Sequence, residues 1–219
     1  VWQITLFTVG SAALATILMM PPGLVLAWLL ARGRFRGRVL LETCVSLPLV
    51  MPPVATGLVL LMLLAPRGAI GGTLAAAGID VVFTWKAVVI AMTVMGLPLF
   101  VRAVRGGIEQ VDRRYEHVAA TLGAPPLRVF LTITLPLALP AVLAGSVLGF
   151  ARALGEFGAT IMVAGSIPGA TQTLAVAIYS FAESGRDADA MRLVGISAAI
   201  AAAALWLSNR IAARAGVRT

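Results

Sequence analysis

Five long apolar runs dominate the chain, over residues 5–30, 45–65, 85–101, 137–154 and 193–207. They meet or approach the roughly 20 apolar residues that a helix needs to cross a hydrocarbon core, where backbone polar groups must pair inside the segment. The pattern predicts an all-α, polytopic transmembrane bundle of about five spans, with an extension of the fourth past Glu156 left open. Between the third and fourth runs the periodicity changes. From 108 to 122, Ile108, Val111, Tyr115, Val118, Ala119 and Leu122 recur at three and four, with Glu109, Asp112, Arg113, Arg114 and Glu116 on the remaining surface. This spacing predicts an amphipathic helix outside the hydrocarbon core, shaped either to dock into a partner's groove or to lie on lipid headgroups. Gly123 offers it a left-handed stop, Pro125 and Pro126 bar its continuation, and a second amphipathic piece is expected over 127–135.

Proline and glycine punctuate the runs. Pro21 and Pro22 interrupt the first, and Pro48, Pro52 and Pro53 at the head of the second predict a break or kink there. Broken helices line transport paths, although a simple bend at the membrane surface is the alternative. Gly145 and Gly149 form a GxxxG in the fourth run, a pattern that lets a helix approach closely, either within the chain or at a subunit interface.

Composition agrees with lipid as the solvent: 60% of residues are hydrophobic and 12% charged, with a mean hydropathy of +0.98, which leaves too little polar surface for a soluble domain. The net charge of +8 does not point to nucleic acid, because the basic residues lie between apolar runs and form no patch among aromatics. They are unevenly shared between the two sides of the membrane. Twelve (Arg32, Arg34, Arg36, Arg38, Arg102, Arg105, Arg113, Arg114, Arg128, Arg210, Arg214, Arg218) fall on one side, and four (Arg67, Lys86, Arg186, Arg192) on the other. By the positive-inside rule the N-terminus lies outside and the C-terminus in the cytoplasm. The first run lacks the basic lead and small-residue cleavage pattern of a signal peptide and is expected to remain as a span. The single cysteine, Cys44, excludes an intrachain disulfide and reads as a packed small hydrophobe.

Candidate chemistry is sparse. His117, the only histidine, lies in the loop, so no HExxH motif and no intramembrane Ser-His pair exists; Lys86, the only lysine, does not belong to a P-loop. Any ATP that drives transport must therefore bind a separate chain by that motif. Arg152 and Glu156, four residues apart on one helical face, form the one internal charge pair. It either holds a helix end in place or borders a permeation path. A cation one turn away makes Glu156 the member of an ion pair, which disfavours proton coupling through Glu156 alone. A stand-alone anion transporter or channel, or a membrane-embedded enzyme, are the competing classes.

The loop resembles the signature of permease subunits of binding-protein-dependent ABC importers, E-A-A, three residues, Gly, nine residues, then I-x-L-P. Gly123 is followed after nine residues by Ile133, Thr134, Leu135 and Pro136, while His117, Val118 and Ala119 stand where the family has E-A-A and Glu116 precedes them. The early glutamate is similar to the molybdate and sulfate branch. So are LPLVMPPVATG at 47–57, RALGEFGAT at 152–160 and IPGATQTLAVAIY at 167–179. The resemblance covers nearly the whole chain and implies one ABC transmembrane domain over 1–219, of the type I importer kind, with a coupling loop at about 106–135. It implies a homodimer in the inner membrane, two ATP-binding cassette subunits that carry ATP and Mg, and an external binding protein that delivers an oxyanion. This chain itself would hold no cofactor or metal and catalyse nothing. Molybdate is the expected cargo, with tungstate, sulfate and thiosulfate as alternatives.

Overall fold

A computed structural model describes residues 1–214, which are helical and joined by turns and short loops. Helix α1 (Trp2–Arg32) runs through Pro21 and Pro22 without ending, which a lipid-embedded helix tolerates because neighbouring groups satisfy the freed carbonyls. Helices α2 (Arg38–Val50) and α3 (Pro53–Leu64) follow, then the short α4 (Gly71–Ala76). Thr84 caps the start of α5 (Trp85–Gln110), accepting from the Lys86 N–H. After the loop helix α6 (Arg113–Thr121), α7 (Pro126–Val129), a π-helical turn (Phe130–Thr134) and α8 (Leu135–Leu154) make one apolar span of 29 residues. Helices α9 (Gly158–Ala164), α10 (Leu174–Glu183) and α11 (Asp187–Arg214) complete the described chain.

Four of these helical stretches are long and apolar enough to cross a membrane, and the α2–α3 pair, bent by 112°, makes a fifth if counted as one span. The second apolar run is therefore no straight helix. Pro52 and Pro53 remove backbone donors at the junction, and Met51 and Pro52 adopt extended ψ values of 146° and 130°. Pro48, in contrast, sits inside α2 without breaking it. The fourth run also stops short of Glu156: α8 ends at Leu154 and the chain turns before α9.

Helix α5 is the centre of the bundle, with α1 and α8 against it. Membrane helices gain little from apolar burial against lipid tails, so their adhesion rests on close packing around small residues. Gly23 of α1 lies beneath Phe100 and Gly107 of α5 meets Ala141. A side chain on Gly96 would begin 3.1 Å from the Gly149 carbonyl oxygen, and one on Gly145 would begin 3.1 Å from Ala103 Cβ. Both glycines of the α8 GxxxG thus pack within this chain.

Several expectations need correction. Cys44 is exposed, because α2 has no fully buried residue and turns only partly buried positions such as Leu41 and Val45 toward the bundle. The amphipathic stretch over 108–122 is not one helix. Val111 is extended (ψ 122°) and the Asp112 side chain accepts the Arg114 N–H at 2.9 Å, so Asp112 is the N-cap of a new helix. The apolar residues then part company: Ile108 and Val111 are buried in the bundle, while Tyr115, Val118 and Leu122 are exposed on α6. The piece over 127–135 is not a separate helix: it runs through the π-helical turn into α8, in one helical stretch of 29 residues. Helix α10, an apolar helix of only ten residues, falls below the length that marks a span in sequence.

Candidate functional site

The loop between α5 and α8 begins where α5 ends. Gly123 closes α6 with φ 84°; the Ala124 N–H donates to the Ala119 carbonyl at 3.1 Å and the Gly123 N–H to that of Ala120 at 3.0 Å. These two bonds make a Schellman motif, which needs the left-handed conformation that glycine adopts without strain. No α6 residue is fully buried. Tyr115 (60% exposed), Val118 (59%) and Leu122 (83%) stand on the α6 surface at three- and four-residue spacing, an apolar stripe with no partner among the described residues.

Glu116 points the other way. Its Oε1 accepts from Thr134 Oγ1 at 2.7 Å and from Arg32 Nε at 3.1 Å, and Arg32 Nη2 lies 3.0 Å away. The same Nη2 donates to the Val111 carbonyl at 2.8 Å. Arg32 is the last residue of α1 and Thr134 the last of the π-helical turn, so one carboxylate oxygen joins three elements. Beside it lies a cleft of about 210 Å³ lined by His117, Trp28, Phe130 and Ala120 among others. His117 and Val118 are exposed and Ala119 half-buried. Ile133, Leu135 and Pro136 sit in the π turn and the first turn of α8, at the root of the span and apart from the stripe. The ring of Trp28 meets that of Phe130 edge-on, 5.9 Å between centroids. Arg105 continues the ionic layer, pairing with Glu42 of α2 at 2.6 Å and with Glu109 at 2.8 Å. Sequence reasoning missed Arg32 and Thr134, and a separation of 84 residues leaves no local signal for the first.

The second candidate lies where α8 turns into α9. Glu156 is 1% exposed; its Oε1 accepts the Ala159 N–H at 2.7 Å, and its Oε2 lies 2.7 Å from Arg152 Nη1. That second contact is an ion pair without good hydrogen-bond direction, since Oε2 accepts no directed hydrogen bond. The carboxylate holds the first turn of α9 and neutralises the end of α8. Against this corner packs α3: a side chain on Gly57 would begin 2.7 Å from Ala159 Cα, and one on Gly158 would begin 2.7 Å from Pro53 Cβ. The break at Pro52 and Pro53 thus lies against the Glu156 corner, while Pro48 lies in α2, away from it. Thr56 and Thr160, on these packed helices, carry buried hydroxyls with no partner among the described residues. A larger cavity, about 670 Å³, opens between the start of α5 and α1 and has no charged lining.

The chain belongs to the family described as the binding-protein-dependent transport system inner membrane component, which matches residues 23–215; it is a multi-pass protein of the inner membrane. It is 46% identical over 213 residues to the molybdenum transport system permease protein ModB of Escherichia coli K12, covering 96% of this chain and 93% of that one. The sulfate transport system permease protein CysT of Salmonella typhimurium is 40% identical over 172 residues, 78% of this chain and 62% of its own length. The fold is shared with a bacterial alginate ABC transporter solved in complex with an alginate pentasaccharide-bound periplasmic protein, with a TM-score of 0.73 at 18% identity over 99% of this chain and 79% of the other.

Proposed function

We propose that this chain is the permease subunit of an ABC importer for molybdate, working as a homodimer with two ATPase subunits and an external binding protein. The observation that carries the cargo is the identity of 46% with a molybdenum permease along nearly the whole chain. Support for the ATPase comes from α6, whose apolar stripe stands exposed at the end of the bundle that gathers Arg32, Arg38 and Arg105. An amphipathic helix of this kind docks into a groove of a partner. That basic end faces the cytoplasm, with the N-terminus outside and the C-terminus inside, by the positive-inside bias; Arg218, counted in that bias, lies outside the described residues.

In this reading the whole chain is one transmembrane domain, and its coupling loop occupies about 106–135. Residues Glu116, His117, Val118, Ala119 and Gly123 belong to the coupling helix and its stop, and Ile133, Leu135 and Pro136 to its root. ATP and Mg reside on the partner, whose closure draws the two loops together and turns the path outward. The broken span with Pro48, Pro52 and Pro53, and the Arg152–Glu156 corner, border the path. Buried threonine hydroxyls on α3 and α9 are the kind of donor a tetrahedral oxyanion takes up.

The test is uptake by vesicles carrying the assembled transporter with its binding protein, in which radiolabelled molybdate competes with tungstate and sulfate. ATP-dependent molybdate uptake that excess sulfate leaves largely intact is expected. Sulfate uptake that molybdate fails to suppress would replace the cargo with the sulfate alternative, which the likeness to CysT favours. Uptake without ATP hydrolysis would indicate a secondary transporter.

A further inference from the structure

Resting on the reading that α6 meets an ATPase, we propose that Glu116 is a positioning residue that transmits the motion of α6 into the bundle and does not face the partner. Three observations carry this. First, the Glu116 and Arg32 side chains are only 17% and 11% exposed, whereas Tyr115, Val118 and Leu122 are open to a partner. Glu116 and the stripe therefore serve different neighbours.

Second, α6 has no fully buried residue, so apolar packing fastens it weakly. Its hold on the bundle is polar: Arg32 reaches both Glu116 and the Val111 carbonyl, spanning the kink at which α5 gives way to α6. A charge-assisted node in a half-enclosed cleft is stronger than the same pair in open water and fixes direction as well as distance.

Third, the node ends on Thr134, which is 1% exposed and closes the π-helical turn at the root of the α8 span. A π turn has looser backbone bonding than an α-helix, and such turns cluster at functional positions. A displacement of α6 is thus handed at once to the end of α1 and the root of α8, the two helices packed on α5. The stripe would receive the ATPase stroke and the node would divide it.

The test compares variants of the assembled transporter in vesicles, scoring co-purified ATPase and molybdate moved per ATP hydrolysed. E116Q and T134V should keep the ATPase while molybdate per ATP falls about tenfold and about fivefold respectively. R32Q with E116Q should be no worse than E116Q alone, because the groups act as a unit. L122E should instead release the ATPase. Release of the ATPase by E116Q would place Glu116 at the partner surface and overturn the proposal. So would a wild-type ratio of molybdate to ATP in both E116Q and T134V. Retention of the ATPase by L122E would be a separate failure, of the docking reading, and the node would lose its role with it. T134V removes only a hydroxyl, so it answers the question even if E116Q assembles poorly.

Discussion

Two carboxylates mark two breaks in this bundle, and their surroundings differ in a way that separates a fixed corner from a movable joint. Glu156 pairs with an arginine four residues earlier and caps the next helix, all within one short stretch. It is sealed at 1% exposure, with α3 laid against it through glycines whose missing side chains leave no slack. Glu116 pairs with an arginine 84 residues away and sits beside an open cleft on a helix with no fully buried residue. The first pair is local, with its carboxylate sealed and its corner braced by backbone contact; the second is long-range, with both side chains slightly exposed, and is braced mainly by polar atoms. A stroke applied to the bundle would therefore move the Glu116 end and be resisted at the Glu156 end.

The strongest way to break that comparison is to crowd the fixed corner. Gly57→Val would put a side chain 2.7 Å from Ala159 Cα and 2.8 Å from the Ala159 carbonyl oxygen, backbone atoms that cannot rotate away. We expect a loss of about 3 kcal/mol or more from overpacking, seen as a lower thermal midpoint and less inserted protein. Gly10→Val, which meets nothing within 4 Å, is the control and should behave as wild type. Equal stability of the two variants would mean that the corner is soft and the contrast with α6 is mistaken.

Legibility in the sequence followed the same division. Runs long enough to cross lipid, the proline break, the Arg152–Glu156 spacing and the Gly123 stop are local patterns, and local patterns can be read along the chain. The bend of 112° could not, because a proline pair states that a helix breaks but not where the next one goes. By periodicity Asp112 falls on the surface of one longer helix, although an aspartate followed by Arg-Arg-Tyr-Glu is an acceptable N-cap with a glutamate in the first turn. Here a continuous three-and-four pattern hid a change of direction. Arg32, Thr134 and the buried threonine hydroxyls depend on tertiary contacts and left no mark in spacing.

The next effect in size concerns the Glu156 pair itself. Glu156→Gln leaves Arg152 without its counter-ion at the edge of a buried corner, although the new amide can still accept the Ala159 N–H. Because Arg152 keeps 24% of its side-chain exposure, some of the lost pairing is replaced by water or headgroup contact. We expect about 2 kcal/mol of destabilisation for the single change and about 1 kcal/mol when Arg152→Gln is added, since a neutral pair costs less than an orphaned charge. Thermal unfolding of both variants in detergent would show this. Identical midpoints for the single and double changes would indicate that the two side chains do not interact energetically.

The smallest effect on stability, at the movable end, is expected to have a disproportionate effect on coupling. Gly123 holds φ 84°, a region that costs a β-branched residue about 1–2 kcal/mol, yet nothing lies within 4 Å of the position where its side chain would start. Valine would thus strain the Schellman turn without striking the bundle, and the strain is relieved locally by unwinding the last turn of α6. Leu122, the most exposed residue of the stripe, lies in that turn and would be misdirected. Gly123→Val should therefore leave the thermal midpoint of the inserted permease nearly unchanged while co-purified ATPase and molybdate-stimulated hydrolysis fall together. Gly123→Asn, whose short side chain tolerates the left-handed region, should retain most of both. If valine keeps the partner as well as asparagine does, the turn does not aim the stripe, and the case for this loop as the coupling element loses its support.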